Sequence, residues 1–143
     1  MTREEKDLLL KDLCGRLPYG VKIQTPADCW TSEKDICELK EIFKGDDGLF
    51  RIGDVGTLIE YSKPYLFPIS SMTEKQEEEL KNMYYSLVNG MFYYTERIFD
   101  GIPFGKMKYF PYQIEEFFNK NHIDYRGLIK KGLAIDATNF NIY

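Results

Sequence analysis

The apolar residues of this chain change their repeat part-way along it, and that change limits the available architectures more than any other feature. Between Gly20 and Tyr61 they tend to recur at every second position. "VKIQ" sends Val21 and Ile23 one way and Lys22 and Gln24 the other, "ICELKEIF" is a rougher version, and "LFRIG" sets Phe50 and Ile52 opposite Arg51. "GTLIEY" supplies a further strand, and "KGDDG" supplies the Gly and Asp of a hairpin loop. From Leu80 the repeat is helical, with Leu80, Met83, Tyr84, Leu87, Val88 and Met91 falling on one stripe. Strand-type and helix-type segments that follow one another, instead of alternating, define an α+β protein. The expectation is one compact domain over residues 1–143, β-rich over 15–70 and α-rich over 71–143. Its strands, at about 20–61, would form a small antiparallel sheet or an SH3-like partial barrel packed against the helical C-terminal half.

The punctuation supports this plan. Thr2 and Glu5 form a capping box for a first helix that buries Leu9, Leu13 and Leu10, with Gly15 at the place of a left-handed C-cap and Pro18 and Gly20 in the turn beyond. "SKPYLFPISSM" places Tyr65, Leu66 and Phe67 between Pro64 and Pro68, and predicts an ordered strap over the core. Thr73 and Gln76 form a second capping box, and Glu74 with Glu77 to Glu79 puts negative charge at the positive end of the helix that follows. "MFYYTERIF" predicts a further helical segment, and Pro111 starts a last helix that buries Ile114, Phe117 and Phe118.

"HIDYRGLIKKGLAIDA", residues 122–137, concentrates the chemistry-bearing side chains around the single histidine. Helix rules account for most of them. Asp124 fits an N-cap, Ile123 and Leu128 a hydrophobic staple, and Lys130 with Lys131 the negative end of a short helix. Gly132 fits the left-handed position after it, Leu133 packs back on Leu128, and "LAIDA" is a short strand. Gly127 conflicts with a helix, and His122, Tyr125 and Arg126 are left without a structural duty. A catalytic reading makes His122 a general base oriented by Asp124 or Asp136. Because no nucleophile, second histidine or metal partner accompanies it, the balance is against an enzyme, with His122 the one candidate catalytic residue. No spacing of His, Cys or carboxylates resembles a metal site, and no cofactor motif is present.

Charge narrows the partners. The net charge of −4 speaks against a surface that is basic throughout, yet residues 101–143 carry 6 bases against 4 acids. A nucleic-acid site would therefore lie in segment 105–131, where Lys106, Lys108, Tyr109, Tyr112, Tyr125, Arg126, Lys130 and Lys131 mix phosphate-binding and stacking side chains. The 22 aromatic residues exceed what a core of this size needs and point to a binding face. Cys14, Cys29 and Cys37 form no evident disulfide framework, no segment reaches membrane-spanning length, and "MTREEKD" is unlike a secretory signal. The expected location is the cytoplasm.

Three segments, "LLLKDLCGRLPYGVKI", "KPYLFPISSMTEKQ" and "HIDYRGLIKKGLAIDAT", carry a resemblance that spans essentially the whole chain. They look like the signature segments of an uncharacterised family of small proteins encoded by phages, prophages and genomes of Bacteroides-type gut bacteria. That resemblance implies a mobile-element setting and an intracellular location, and it brings no catalytic residues with it. The leading expectation is a non-catalytic module that binds a protein partner or itself. Nucleic-acid binding is the alternative, and a small enzyme using His122 is the third.

Overall fold

The computed structural model describes residues 1–26, 36–53, 56–88 and 112–143. Helix α1, Arg3–Arg16, opens on the expected capping box: the Glu5 amide donates to Thr2 Oγ1 at 3.2 Å, and the Thr2 amide donates to Glu5 Oε2 at 2.7 Å. The helix does not stop at Gly15. It runs to Arg16, tightens into a 3-10 turn over Leu17–Tyr19, and leaves through Gly20 at φ +64°. Gly15 serves a close approach instead, since a Cβ there would stand 2.8 Å from Asn119 Nδ2.

The described strands form two small sheets, not a single barrel. In the first, β1 (Lys22–Gln24) lies between β2 (Ile36–Glu38) and β6 (Lys63–Leu66), antiparallel to both, and β7 (Ile135–Asp136) adds to β6 in parallel. In the second, β3 (Ile42–Lys44), β4 (Phe50–Ile52) and β5 (Thr57–Leu58) form an antiparallel meander. "ICELKEIF" is thus split between the sheets, with buried Leu39 at the crossing. The segment between the two prolines is an interior strand, where a strap was expected. Pro64 is tolerated there because rungs alternate between neighbours: the Leu66 carbonyl accepts from Ala137 on the β7 side, so the donor that Pro64 lacks would also face that side. The β7 pairing begins only at Tyr65, and no rung is lost.

Helix α2, Glu74–Val88, opens on its own box, with the Gln76 amide 3.2 Å from Thr73 Oγ1 and the Thr73 amide 2.9 Å from Gln76 Oε1. Helix α3 is Tyr112–Lys120. The helical segment expected over "MFYYTERIF", the Pro111 start and Met91 lie outside the described residues.

Among the described residues, two apolar clusters fill the interior. One joins Leu9 and Leu13 of α1 to Val21, Ile23, Leu39, Ile52, Ile59, Leu66, Leu128 and Leu133, so it gathers α1, both sheets and the 128–133 turn. The other joins Leu80 of α2 to Ile114, Phe117 and Phe118 of α3, with Ile123 and Tyr125. The loop after α3 therefore contributes to both clusters, and its backbone is tied to β6 by a parallel bridge between Phe67 and Ile123.

Candidate functional site

The junction between the clusters is built from α1. Asp12 and Arg16 fall on the same helical stripe as Leu9 and Leu13, and both are fully buried. Arg16 grips Asp12 through two hydrogen bonds, Nε to Oδ2 at 2.7 Å and Nη2 to Oδ1 at 3.1 Å. Its other donors reach the Phe118 carbonyl at 3.3 Å and the Ile123 carbonyl at 2.8 Å, so the cation sits at the negative end of α3. Arg126 joins this network, donating to Asp12 Oδ1 at 3.2 Å and Glu115 Oε1 at 3.4 Å, with its guanidinium 4.6 Å from the centre of the Tyr125 ring. The Tyr125 ring in turn stacks on Phe118 with centroids 5.0 Å apart and planes at 16°. Tyr125 and Arg126 thus have the structural duty that the sequence did not assign them. Tyr125 is buried, and that burial pushes its hydroxyl up to about 12.

His122 has a duty of its own. The Ile123 amide donates to the Phe118 carbonyl at 2.9 Å and the His122 amide to the Asn119 carbonyl at 3.2 Å, the paired bonds of a Schellman motif closing α3. His122 occupies the left-handed position usually held by glycine, with φ +54°. Its ring is buried and stacks on Tyr143, centroids 4.2 Å apart and planes at 18°. Burial first, then the positive charges of Arg16 and Lys22, lower its pKa to about 4. The imidazole is therefore neutral near pH 7, and its buried Nδ1 has no hydrogen-bond partner among the described residues.

The carboxylates proposed to orient that ring are committed elsewhere. Asp124 accepts from the Leu128 and Ile129 amides at 2.8 and 2.9 Å, while Asp136 accepts from the Thr138 amide at 2.9 Å and hydroxyl at 2.6 Å. The oriented general-base arrangement considered for His122 is not assembled.

Residues 124–133 keep the expected closure at Gly132 but form no helix, and Asp124 holds the Leu128 and Ile129 amides where a helix N-cap was expected. Gly127 at φ +71° breaks the helical path, and the segment is a series of turns. At its end the Leu133 amide reaches the Leu128 carbonyl at 2.9 Å and the Gly132 amide the Ile129 carbonyl at 3.0 Å, with Gly132 at φ +69°, which is the expected Schellman closure. Lys130 and Lys131 project from this turn and are exposed, as is Tyr112 at the start of α3. Lys106, Lys108 and Tyr109 lie outside the described residues. Of the eight residues considered for nucleic acid, the described ones divide: Tyr112, Lys130 and Lys131 face solvent, and Tyr125 and Arg126 are built into the junction. Among the described residues no three His, Cys, Asp or Glu side chains converge as metal ligands, and no helix is long and apolar enough to cross a membrane.

The second region with chemical character is the β3–β4 hairpin. Its turn is closed by the Gly48 amide on the Gly45 carbonyl and the Gly45 amide on the Leu49 carbonyl, each at 2.9 Å, with Gly48 at φ +79°. Asp47 and Arg51 make a bidentate pair at 2.7 and 2.5 Å, and the guanidinium holds the Asp47 carboxyl far below the usual carboxylate range. Around this pair Leu49, Phe43 and Phe50 remain 46%, 40% and 38% exposed. The register places Phe50 opposite Lys44 and Phe43 opposite Arg51, so the hairpin carries apolar surface on both faces. On the Phe50 side an open cleft of about 290 Å³ separates the hairpin from α1, with Leu10, Leu49, Phe50, Leu58 and Ile59 as its apolar lining. Arg3, Lys6, Asp7 and Glu60 line it with charge, and Lys6 and Glu60 form an ion pair.

Two features here escape a reading by residue type. Period two turns Phe50 inward with Ile52, whereas Ile52 is buried and Phe50 lies at the cleft. Asp12 and Arg16 look like solvated charges unless their place on the Leu9 and Leu13 stripe is weighed. No protein-family model, curated protein or solved structure matches this chain.

Proposed function

We propose that this chain is a non-catalytic protein-binding module, of phage- or prophage-linked and intracellular setting, that engages its partner through the β3–β4 hairpin and the cleft beside it. The observation that carries this reading is the exposure of Phe43, Leu49 and Phe50 on one short hairpin, next to a cleft lined by Leu10, Leu58 and Ile59. Grouped apolar surface of this kind is uncommon on a protein with no contact to make. An apolar centre with charges of both signs around it, here Arg3, Lys6, Asp7 and Glu60, follows the composition of interfaces between proteins. The cleft is of a size to receive an anchoring side chain, and the hairpin beside it would supply the surrounding contacts. The setting rests on the three signature-like segments of the sequence.

The test is capture from host cells with the tagged full chain, alongside light scattering of the purified protein and a Leu49→Asp/Phe50→Asp variant. The expected result is a discrete partner, or a second copy, whose binding falls by at least about tenfold in the variant while the fold is kept. Capture unchanged in the variant, or a plain monomer with no partner, would count against the reading. Retention of nucleic acid at low salt that is lost on replacing Lys130 and Lys131 by Ala, with the hairpin variant unaffected, would move the function to the C-terminal turn.

A further inference from the structure

Residues 137–143 are fastened by aromatic contacts to Tyr65, Phe67 and His122. After the Ala137 amide donates to Leu66 at 2.8 Å, the chain turns through a 3.0 Å bond from the Phe140 amide to the Ala137 carbonyl. Phe140 then packs edge-on against Tyr65 at 5.2 Å, and Tyr143 packs against Phe67 at 5.6 Å and lies flat on His122 at 4.2 Å. The Tyr143 hydroxyl accepts from the Lys22 amide at 3.0 Å and donates to the Tyr65 carbonyl at 2.8 Å. Strands β1 and β6 pair at Gln24 with Lys63 and at Ile23 with Pro64, so Lys22 and Tyr65 are the next pair along. The hydroxyl bridges them and satisfies both groups.

The imidazole that takes part in this fastening is uncharged near pH 7. Among the described residues, the charged groups whose fields reach the ring are Arg16 from α1 and Lys22 from β1, and both are cations. Among the described residues, four carboxylates of the surrounding elements are each already committed to another partner. Asp12 is held by Arg16 and Arg126, Glu38 by Lys22, Asp124 by the Leu128 and Ile129 amides, and Asp136 by Thr138. The face of Tyr143 offers an imidazolium only a weak cation–π contact, against burial and two like charges. His122 also holds a left-handed backbone that glycine would adopt at lower cost, so the ring contributes something that the backbone alone does not require.

We propose that residues 138–143 are a proton-released latch: neutral His122 holds Tyr143 across β1 and β6, and a proton on His122 detaches it. Release uncovers the Phe67 face and leaves the Lys22 amide and the Tyr65 carbonyl open to another hydrogen-bonding group. The depressed pKa of His122, about 4, sets where the transition falls. Linkage makes the relation reciprocal: if the closed latch disfavours the proton, removing the latch must favour it.

The experiment is an NMR titration of the full chain from neutral pH down through about 4, following the His122 imidazole and the Tyr143 ring. The two should change with one midpoint while the Leu9 and Leu13 methyl signals stay in place. In Tyr143→Ala, titrated over the same range, His122 should have a midpoint at least about one pH unit higher than in the parent chain. Equal His122 midpoints in the two proteins, Tyr143 signals that ignore the His122 transition, or core methyls that move with it would each overturn the proposal.

Discussion

Asp12 with Arg16 and Asp47 with Arg51 are the same residue pair at the same spacing of four, each held by two hydrogen bonds. Their surroundings separate them. The first pair has no exposed side-chain surface, shares its carboxylate with Arg126 and spends its spare donors on the carbonyls that end α3. The second stands at a hairpin turn with its carboxylate 46% exposed. In the interior, deleting one partner strands the other without water; at the hairpin, water replaces whatever is lost. The same chemistry therefore fixes one region and leaves the other as exposed surface, with apolar side chains around it.

The largest expected effect comes from breaking the buried pair. Arg16→Met should destabilise the chain by about 3–5 kcal/mol in urea unfolding, because the buried Asp12 is left with Arg126 alone and the Phe118 and Ile123 carbonyls lose the guanidinium together. Acid should act next most strongly, through His122. Its folded pKa, about 4, lies below the ordinary 6.5, so on lowering the pH the unfolded chain takes up a proton that the folded chain declines. The stability is present above that window and is lost as pH falls from 6.5 toward 4, with a ceiling of about 3 kcal/mol. Replacing His122 by Asn, which tolerates the left-handed backbone and does not titrate, should flatten this part of a stability-against-pH curve. A smaller effect, about 1 kcal/mol, is expected from Gly132→Ala, since φ +69° strains any residue with a Cβ; thermal unfolding would register it. The smallest is Asp47→Ala, for which the unfolding midpoint should not move beyond error. A large loss there would abolish the contrast between the two pairs.

What could be read in advance follows the range of the interactions. The boxes at Thr2 and Thr73, the "KGDDG" turn and the closure at Gly132 are made by residues within a few positions of one another, and each is found where the sequence places it. The α+β class also follows, because hydrophobic period is local. Sheet membership is not: β2 and β3 lie three residues apart yet enter different sheets, and β6 pairs in parallel with β7 from beyond α3. The junction was hidden for a related reason. Asp12 and Arg16 become buried only because the end of α3 arrives over them, and His122 conceals the closure of α3 by standing where glycine is the usual signal. Tyr143 carries no local sign of its place between Lys22 and Tyr65.

The central claim is that contact is made at the hairpin, and site-specific photo-crosslinking in host cells tests it most directly. A crosslinking side chain at Leu49 is compared with one at Glu78, which is exposed on α2. A discrete adduct is expected from position 49 and none from position 78. Adducts from both positions alike, or from neither, would contradict it.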